Sequence, residues 1–150
     1  MSDVKTGVKT IQEIEKILPH RAPMLLIETA ELVDGVSVCT YTVRGDEYFL
    51  QGHFPNNPVV PGVIQCEMMA QASCLLVDKN DGKKYTPYFT GMNNVRFKKI
   101  VVPGDTITLK SEMQKARDPF YFVKCTATVD GKVCATGELS FMCQENPKEA

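Results

Sequence analysis

One short stretch of the sequence holds the two side chains best suited to proton transfer. His53 lies in the loop GHFPNNPVVP, and Glu67 lies in the apolar segment GVIQCEMMAQ that follows it. An imidazole exchanges protons near neutral pH, and a carboxylate in apolar surroundings needs a partner or a changed protonation state. A base and an acid on neighbouring rigid elements are what proton abstraction followed by protonation of a leaving group requires. We therefore predict an acid–base pair, and the spacing leaves open whether the two side chains meet.

Each of these residues also has a structural interpretation. His53 could only hydrogen-bond a backbone carbonyl, although three prolines in its loop would hold it rigidly in either role. Glu67 could pair with a base from another segment or reach solvent at a helix edge. Gln71 follows Glu67 at i+4 and so shares its helix face. Gly62 follows Pro61 where a helix should begin, so its free amide is either an oxyanion donor or a plain helix start.

Other chemistry has little support. The net charge of -1 predicts no strong attraction to nucleic acid or to an anionic membrane. The sequence has no phosphate-binding loop, no dinucleotide fingerprint and no metal-type spacing of cysteines, so neither cofactor nor metal is predicted. Cys66 and Cys74 fall on an apolar helix and are expected to be inert core thiols. His20, in LPHRAP, is interpreted as a structural residue that bonds the carbonyls of a helix end.

The elements that must position these residues follow from periodicity. A capping box at Thr10 and Glu13 predicts a helix over 10–18, and 62–77 reads as a second helix, buried on most sides. Two strands before the His53 loop and an alternating C-terminal half, with turns at Asp34-Gly35 and Asp130-Gly131, predict antiparallel sheet. This is an α+β arrangement in which the sheet curls over the long helix.

The 150 residues are expected to form one domain, 1–150, with a frayed tail at about 144–150. No apolar run reaches the roughly 20 residues that span a bilayer, the N-terminus is too polar for a signal peptide, and the thiols are expected to be reduced. We therefore expect a cytoplasmic location. Arg96, Lys98 and Lys99 form a short basic cluster, either a solvated strand face or a docking site for an acidic carrier.

The sequence resembles the bacterial (3R)-hydroxyacyl-[acyl-carrier-protein] dehydratases of the FabZ type, which have the hotdog fold. The likeness runs through ILPHRAPMLLIE, GHFPNNPVVPGVIQCEMMAQ, NNVRFKKIVVPGD and VDGKVCATGELSF. It implies that His53 is the catalytic histidine, that Glu67 is the catalytic acid, and that Gly62 binds the thioester carbonyl. It further implies a homodimer whose interface combines the histidine of one subunit with the acid of the other, and members of this family often assemble further into a trimer of dimers.

The resemblance implies dehydration of a (3R)-hydroxyacyl-acyl carrier protein to the trans-2-enoyl product in fatty acid elongation. Gln71 would orient Glu67, and the cluster of Arg96, Lys98 and Lys99 would contact the carrier protein. The substrate tunnel would be lined by Phe54, Val60 and Val63.

The related dehydratase that also isomerises the double bond usually carries aspartate where this sequence has Glu67, so the resemblance implies dehydration without isomerisation. Asn56 stands where the family commonly has glycine. Two alternatives are a hotdog acyl thioesterase and a noncatalytic carrier-binding subunit; acyl length, pathway and the choice between two and six chains stay open.

Overall fold

The computed structural model describes residues 7–79 and 81–147. In chain order the elements are α1 (Ile11–Ile17), β1 (Thr29–Val33), β2 (Val36–Thr42), a short 3-10 helix (Tyr48–Leu50), α2 (Gly62–Cys74), β3 (Tyr85–Phe97), β4 (Thr106–Arg117), β5 (Phe120–Val129) and β6 (Lys132–Glu145). The strands form a six-stranded antiparallel sheet in the order β1-β2-β4-β5-β6-β3, with β3 and β1 at its two edges.

The predicted start of α1 and both predicted turns are confirmed. The Thr10 side chain accepts a hydrogen bond from the Glu13 amide, and the Glu13 side chain accepts one from the Thr10 amide. Asp34-Gly35 and Asp130-Gly131 join β1 to β2 and β5 to β6. All four turn residues have positive φ, from 51° to 79°, as a type I′ turn requires.

Helix α2 lies against the concave face of the sheet, which confirms the predicted arrangement. Nine of its residues, from Gln65 to Cys74, are buried. They pack against inward-facing residues of β2, β4, β5 and β6 such as Cys39, Leu109, Val123 and Phe141. The helix lacks a polar face because the sheet covers most of its sides.

Some element boundaries differ from the sequence-based expectation. Helix α2 ends at Cys74, and the next residues form a turn, so the helix is shorter than 62–77. The segment expected to fray is partly ordered: β6 runs to Glu145, and the Asn146 amide donates to the Lys84 carbonyl at 2.8 Å. Backbone pairing with the β3 region holds this segment. The last three residues of the predicted tail, 148–150, lie outside the described part of the chain.

A buried carboxylate anchors the segment that leads into the His53 loop. Glu47 accepts hydrogen bonds from the Tyr41 hydroxyl at 2.6 Å, the Arg44 amide at 2.9 Å and the Gly45 amide at 2.7 Å. Burial acts to raise the pKa of Glu47, but these hydrogen bonds outweigh it and hold the pKa below its usual value of 4.5. The ionised form is therefore the one that the fold stabilises.

Replacing Glu47 with Gln should lower the free energy of unfolding by about 2 kcal/mol at pH 7, because charge-assisted hydrogen bonds are lost from a buried site. Urea titration at fixed protein concentration measures the difference, with the exposed Glu112→Gln as control. The lowered pKa means that this stabilisation is present above pH 4.5 and disappears as pH falls through the folded-state value. Wild type and variant should thus converge in acid, and a difference independent of pH would contradict the assignment.

Candidate active site

The loop that carries His53 is held by its own backbone. The His53 amide donates to the Leu50 carbonyl, the Val59 amide donates to the His53 carbonyl at 2.9 Å, and Phe54 and Asn57 bond each other in both directions. Pro55, Pro58 and Pro61 fix φ between these bonds. The loop is therefore a rigid support for its histidine.

The imidazole of His53 is oriented by one hydrogen bond. Its Nδ1 lies 2.9 Å from the Val59 carbonyl oxygen, which can only accept, so Nδ1 carries the proton in the neutral ring. Nε2 is then left with a free lone pair. The bond to a backbone carbonyl, which the sequence offers as an alternative to catalysis, is present and leaves Nε2 able to accept a proton.

Asn56 adopts a left-handed backbone with φ of 59°. Asparagine tolerates this region better than most residues, and glycine enters it without steric cost. The conformation explains why glycine would suit this position, and why the asparagine preserves the loop.

Glu67 points into a small cavity of about 40 Å³, lined by His20, Ala70, Gln71, Cys74, Pro87, Tyr88, Phe89 and Phe141. Gln71 Nε2 donates to Glu67 Oε2 at 2.8 Å, which is the contact expected from their i, i+4 spacing. Gln71 is itself fixed, because Nε2 also donates to the Met24 carbonyl at 2.7 Å and Oε1 accepts from the Leu26 amide at 2.8 Å. The glutamate side chain is 24% exposed and is therefore within reach of a ligand.

A second group reaches the same carboxylate, and sequence reasoning missed it. His20 Nε2 lies 3.5 Å from Glu67 Oε2. The interpretation of His20 as a partner of helix carbonyls was wrong, because the Arg21 guanidinium makes those bonds, to Leu18 and Glu15. Glu67 thus has a basic partner from another segment, which was the structural alternative. The two prolines around His20 and Arg21, at 19 and 23, were a signal of a rigid segment that could have pointed to it.

Gly62 begins α2 against an aromatic ring. Pro61 provides no side-chain cap, and among the described residues no acceptor bonds the Gly62 amide. A Cβ at this position would lie 2.9 to 3.2 Å from ring atoms of Phe97, closer than ordinary contact. A larger residue here would displace the exposed Phe97 ring from the start of α2, and the helix-terminal amide of Gly62 stays available to an oxygen acceptor.

Within one chain the structure brings some of the candidate residues together and leaves others apart. Glu67 and Gln71 share one cavity, whose lining among the described residues includes neither His53 nor Gly62. Of the expected tunnel residues, Val60 is buried in the core at 4% exposure, whereas Phe54 and Val63 are 52% and 72% exposed. In the single chain these three residues do not enclose a tunnel.

The basic cluster lies on the surface near Gly62. Arg96, Lys98 and Lys99 are exposed, and the ion pairs found among the described residues involve none of them. Phe97, between Arg96 and Lys98, is the residue that covers Gly62. The cluster therefore borders the N-terminus of α2.

A larger cavity of about 440 Å³ adjoins the one at Glu67, and Cys74 and Pro87 line both. Its lining combines apolar residues such as Leu18, Val77 and Tyr85 with charged residues such as Lys79, Asp81 and Lys83. Its volume is in the range of small-molecule sites.

The cysteines take no visible part in the site chemistry. All six are free and buried, and burial raises the pKa of each thiol, that of Cys39 to about 11. This agrees with inert core thiols.

In the described ranges no cluster of three or more His, Cys, Asp or Glu side chains could hold a metal ion. No helix of that same part of the chain is long and apolar enough to cross a membrane.

Comparison with known proteins decides the family. The family model described as ApeI-like, ApeI dehydratase, matches residues 31–138. The 3-hydroxyacyl-[acyl-carrier-protein] dehydratase FabZ of Clostridium perfringens is 48% identical over 133 residues, covering 87% of this chain and 96% of that protein. The FabZ of Oenococcus oeni is 44% identical over 138 residues, covering 89% and 98%.

The chain belongs to the FabZ dehydratase family. This confirms the family, the enzyme class and the dehydration step of fatty acid biosynthesis that the sequence had suggested.

Solved structures confirm the fold of this FabZ-family chain. A chain of the dehydratase heterocomplex ApeI:P from Xenorhabdus doucetiae superposes with a TM-score of 0.76 at 24% identity, covering 90% of this chain and 91% of that one. A thioesterase from Haemophilus influenzae reaches a TM-score of 0.67 at 15% identity, covering 91% and 92%. At such low identity these likenesses establish the hotdog fold and not the activity.

Proposed function

We propose that this FabZ-family enzyme converts (3R)-hydroxyacyl-acyl carrier protein to the trans-2-enoyl thioester, with His53 as base and Glu67 as acid. The assignment of roles rests on the hydrogen bonds that orient the side chains of His53 and Glu67. Val59 fixes the His53 tautomer that leaves Nε2 free, and Gln71 fixes the Glu67 carboxylate. Such prior orientation is what general acid–base catalysis needs.

In the proposed reaction, His53 Nε2 takes a proton from C2 of the substrate. The electron pair moves toward the thioester carbonyl, whose oxygen accepts a hydrogen bond from the Gly62 amide. The C2–C3 double bond then forms as the C3–O bond breaks. Glu67 gives its proton to the departing hydroxyl, which leaves as water.

We propose that a second copy of the chain completes this site. His53 does not line the cavity at Glu67 within one chain, so a loop from elsewhere must deliver it. Strand β3 is a long edge strand with exposed Tyr88, Phe89, Met92 and Phe97. An unpaired apolar edge is a template for pairing with another strand. Pairing of β3 with its copy would cover these residues and the exposed Phe54 and Val63.

We further propose that the acyl chain extends past Glu67 into the larger cavity. The two cavities share Cys74 and Pro87 as lining residues, and Leu18, Val77 and Tyr85 of the larger one offer contacts for a hydrocarbon chain among charged residues such as Lys79 and Asp81. In a dimer, Phe54, Val60 and Val63 of the loop and α2 would form the entrance of the tunnel. We propose a cytoplasmic location, with which the six free and buried cysteines are compatible.

The carrier protein is proposed to dock on the basic cluster beside Gly62. Charge reversal in Lys98→Glu/Lys99→Glu should raise KM for the carrier-bound substrate about tenfold at low salt and leave kcat for a short thioester without carrier unchanged. Steady-state kinetics at two salt concentrations measure this. Lys115→Glu, on the exposed far end of β4, is the matched control. An equal loss on both substrates would argue against a docking role.

A direct assay tests the function. A purified sample is mixed with a (3R)-hydroxyacyl carrier-protein thioester while the absorbance of the conjugated enoyl product and the release of free thiol are followed. We expect enoyl product without thiol. Thiol release without enoyl product would favour the thioesterase, and neither signal, with thioester still bound, would favour a noncatalytic carrier-binding subunit.

A further inference from the structure

His20 turns toward Glu67 because its neighbour occupies the helix end. Arg21 donates to the carbonyl oxygens of Leu18 at 2.9 Å and of His20 itself at 2.7 Å. The Arg21 guanidinium therefore bonds the carbonyl groups at the end of α1, and the imidazole of His20 points inward. The side chain is 20% exposed and lines the cavity at Glu67.

Two side-chain nitrogens lie near one oxygen of the glutamate: Gln71 donates a hydrogen bond to it, and His20 lies somewhat beyond ordinary hydrogen-bond distance. Gln71 Nε2 lies 2.8 Å and His20 Nε2 lies 3.5 Å from Glu67 Oε2. Among the described residues no hydrogen-bond or ion-pair partner contacts Oε1. The carboxyl group is thus held by Oε2, and Oε1 is the oxygen that remains for a substrate.

The surroundings of the second ring nitrogen decide the tautomer of His20. Nδ1 is buried and has no partner in the described structure. A bare lone pair there costs less than an N–H without an acceptor, so the neutral ring should carry its proton on Nε2. Burial lowers the pKa of His20, while Glu67 acts to raise it and Arg21 to lower it. The neutral ring is therefore favoured at neutral pH.

We propose that His20 is a positioning residue for the acid: its neutral Nε2–H donates to Glu67 Oε2 and, with Gln71, presents Oε1 to the leaving hydroxyl. This inference rests on the proposed role of Glu67. A neutral N–H of His20 can donate to Oε2 both while Glu67 is protonated, before proton transfer, and when it is a carboxylate, after the transfer. A charged imidazolium would instead favour the carboxylate in advance, against the role of an acid.

The kinetic test compares two substitutions. His20→Leu removes the donor and should lower kcat ten- to a hundredfold with less than threefold change in KM, since a misplaced catalytic group costs rate more than binding. His20→Gln retains an N–H donor near the position of Nε2 and should recover most of that loss. Equal impairment of the two variants would overturn the positioning role, and so would a wild-type kcat in His20→Leu.

A spectroscopic test does not depend on activity. The chain has two histidines, so tag-free protein labelled at histidine should give two sets of ring signals, assigned with His20→Gln and His53→Ala. We expect the Nε2–H tautomer for His20 and a titration midpoint below 6.5, because burial disfavours the charged ring more than a Glu67 carboxylate favours it. The other ionisable groups around the ring are Cys74, Tyr88 and Arg21.

The two tests separate this inference from the proposed function. An Nδ1–H tautomer, or a His20 midpoint above 6.5, would overturn the positioning role even in an active dehydratase. Absence of enoyl product from wild type would overturn the proposed function, whatever the ring signals show.

Discussion

His53→Ala should lower kcat/KM for the hydroxyacyl thioester by about a thousandfold, since a positioned general base typically contributes a factor of 10² to 10⁴. The substitution removes the lone pair at Nε2 and leaves the Gly62 amide and Glu67 in place. The enoyl absorbance assay measures the loss. Wild-type rates in this variant would show that another group takes the C2 proton.

The fold should survive this substitution. His53 is only half-buried, and the contacts of its ring are one hydrogen bond to Val59 and stacking on Phe54. The backbone bonds of the loop do not involve its side chain. Circular dichroism and the size of the particle should therefore match wild type, and Asn57→Ala, an exposed neighbour in the same loop, should keep normal activity.

The helix start, the turns and the loop around His53 and Glu67 could be predicted, because a few neighbouring residues in the sequence determine each of them. The capping box at Thr10, the Asp-Gly turns and the proline-rich loop before Gly62 each specify a backbone conformation within a few residues. The apolar surface all around α2 likewise predicts burial. Glu67 and Gln71 meet because helix geometry alone sets an i, i+4 contact.

Contacts that depend on distant segments could not be predicted in this way. Strand β3 shows no alternation, since several of its large apolar side chains, such as Phe89 and Met92, are exposed in the single chain. His20 contacts Glu67 only because the chain turns toward α2 after the end of α1. The residues LPHRAP do not by themselves determine the direction of that turn. The pairing of β5 with β6 contains a bulge, and Val133 is exposed there, although a strictly alternating strand would place it on the same buried face as Ala135.

Glu67→Gln should lower kcat by about two to three orders of magnitude, because an amide can keep the contact with Gln71 but cannot give a proton to the leaving hydroxyl. The change is nearly isosteric, so KM and folding should change little. Glu112→Gln, at an exposed position on β4, is the control for loss of one carboxylate. A near-normal rate would reduce Glu67 to a structural role and leave the leaving group without an acid.

Mixing the two inactive variants tests where the base and the acid come from. If each site takes His53 from one subunit and Glu67 from its partner, a mixed dimer of His53→Ala and Glu67→Gln has one intact site and one that lacks both groups. Random exchange of subunits should then restore about a quarter of wild-type activity, since half of the dimers are mixed and each carries one working site. If a single chain supplied both groups, every site would lack one of them and mixing would restore nothing. The size of the recovered activity therefore decides whether β3 pairing builds the active site or only covers an apolar edge.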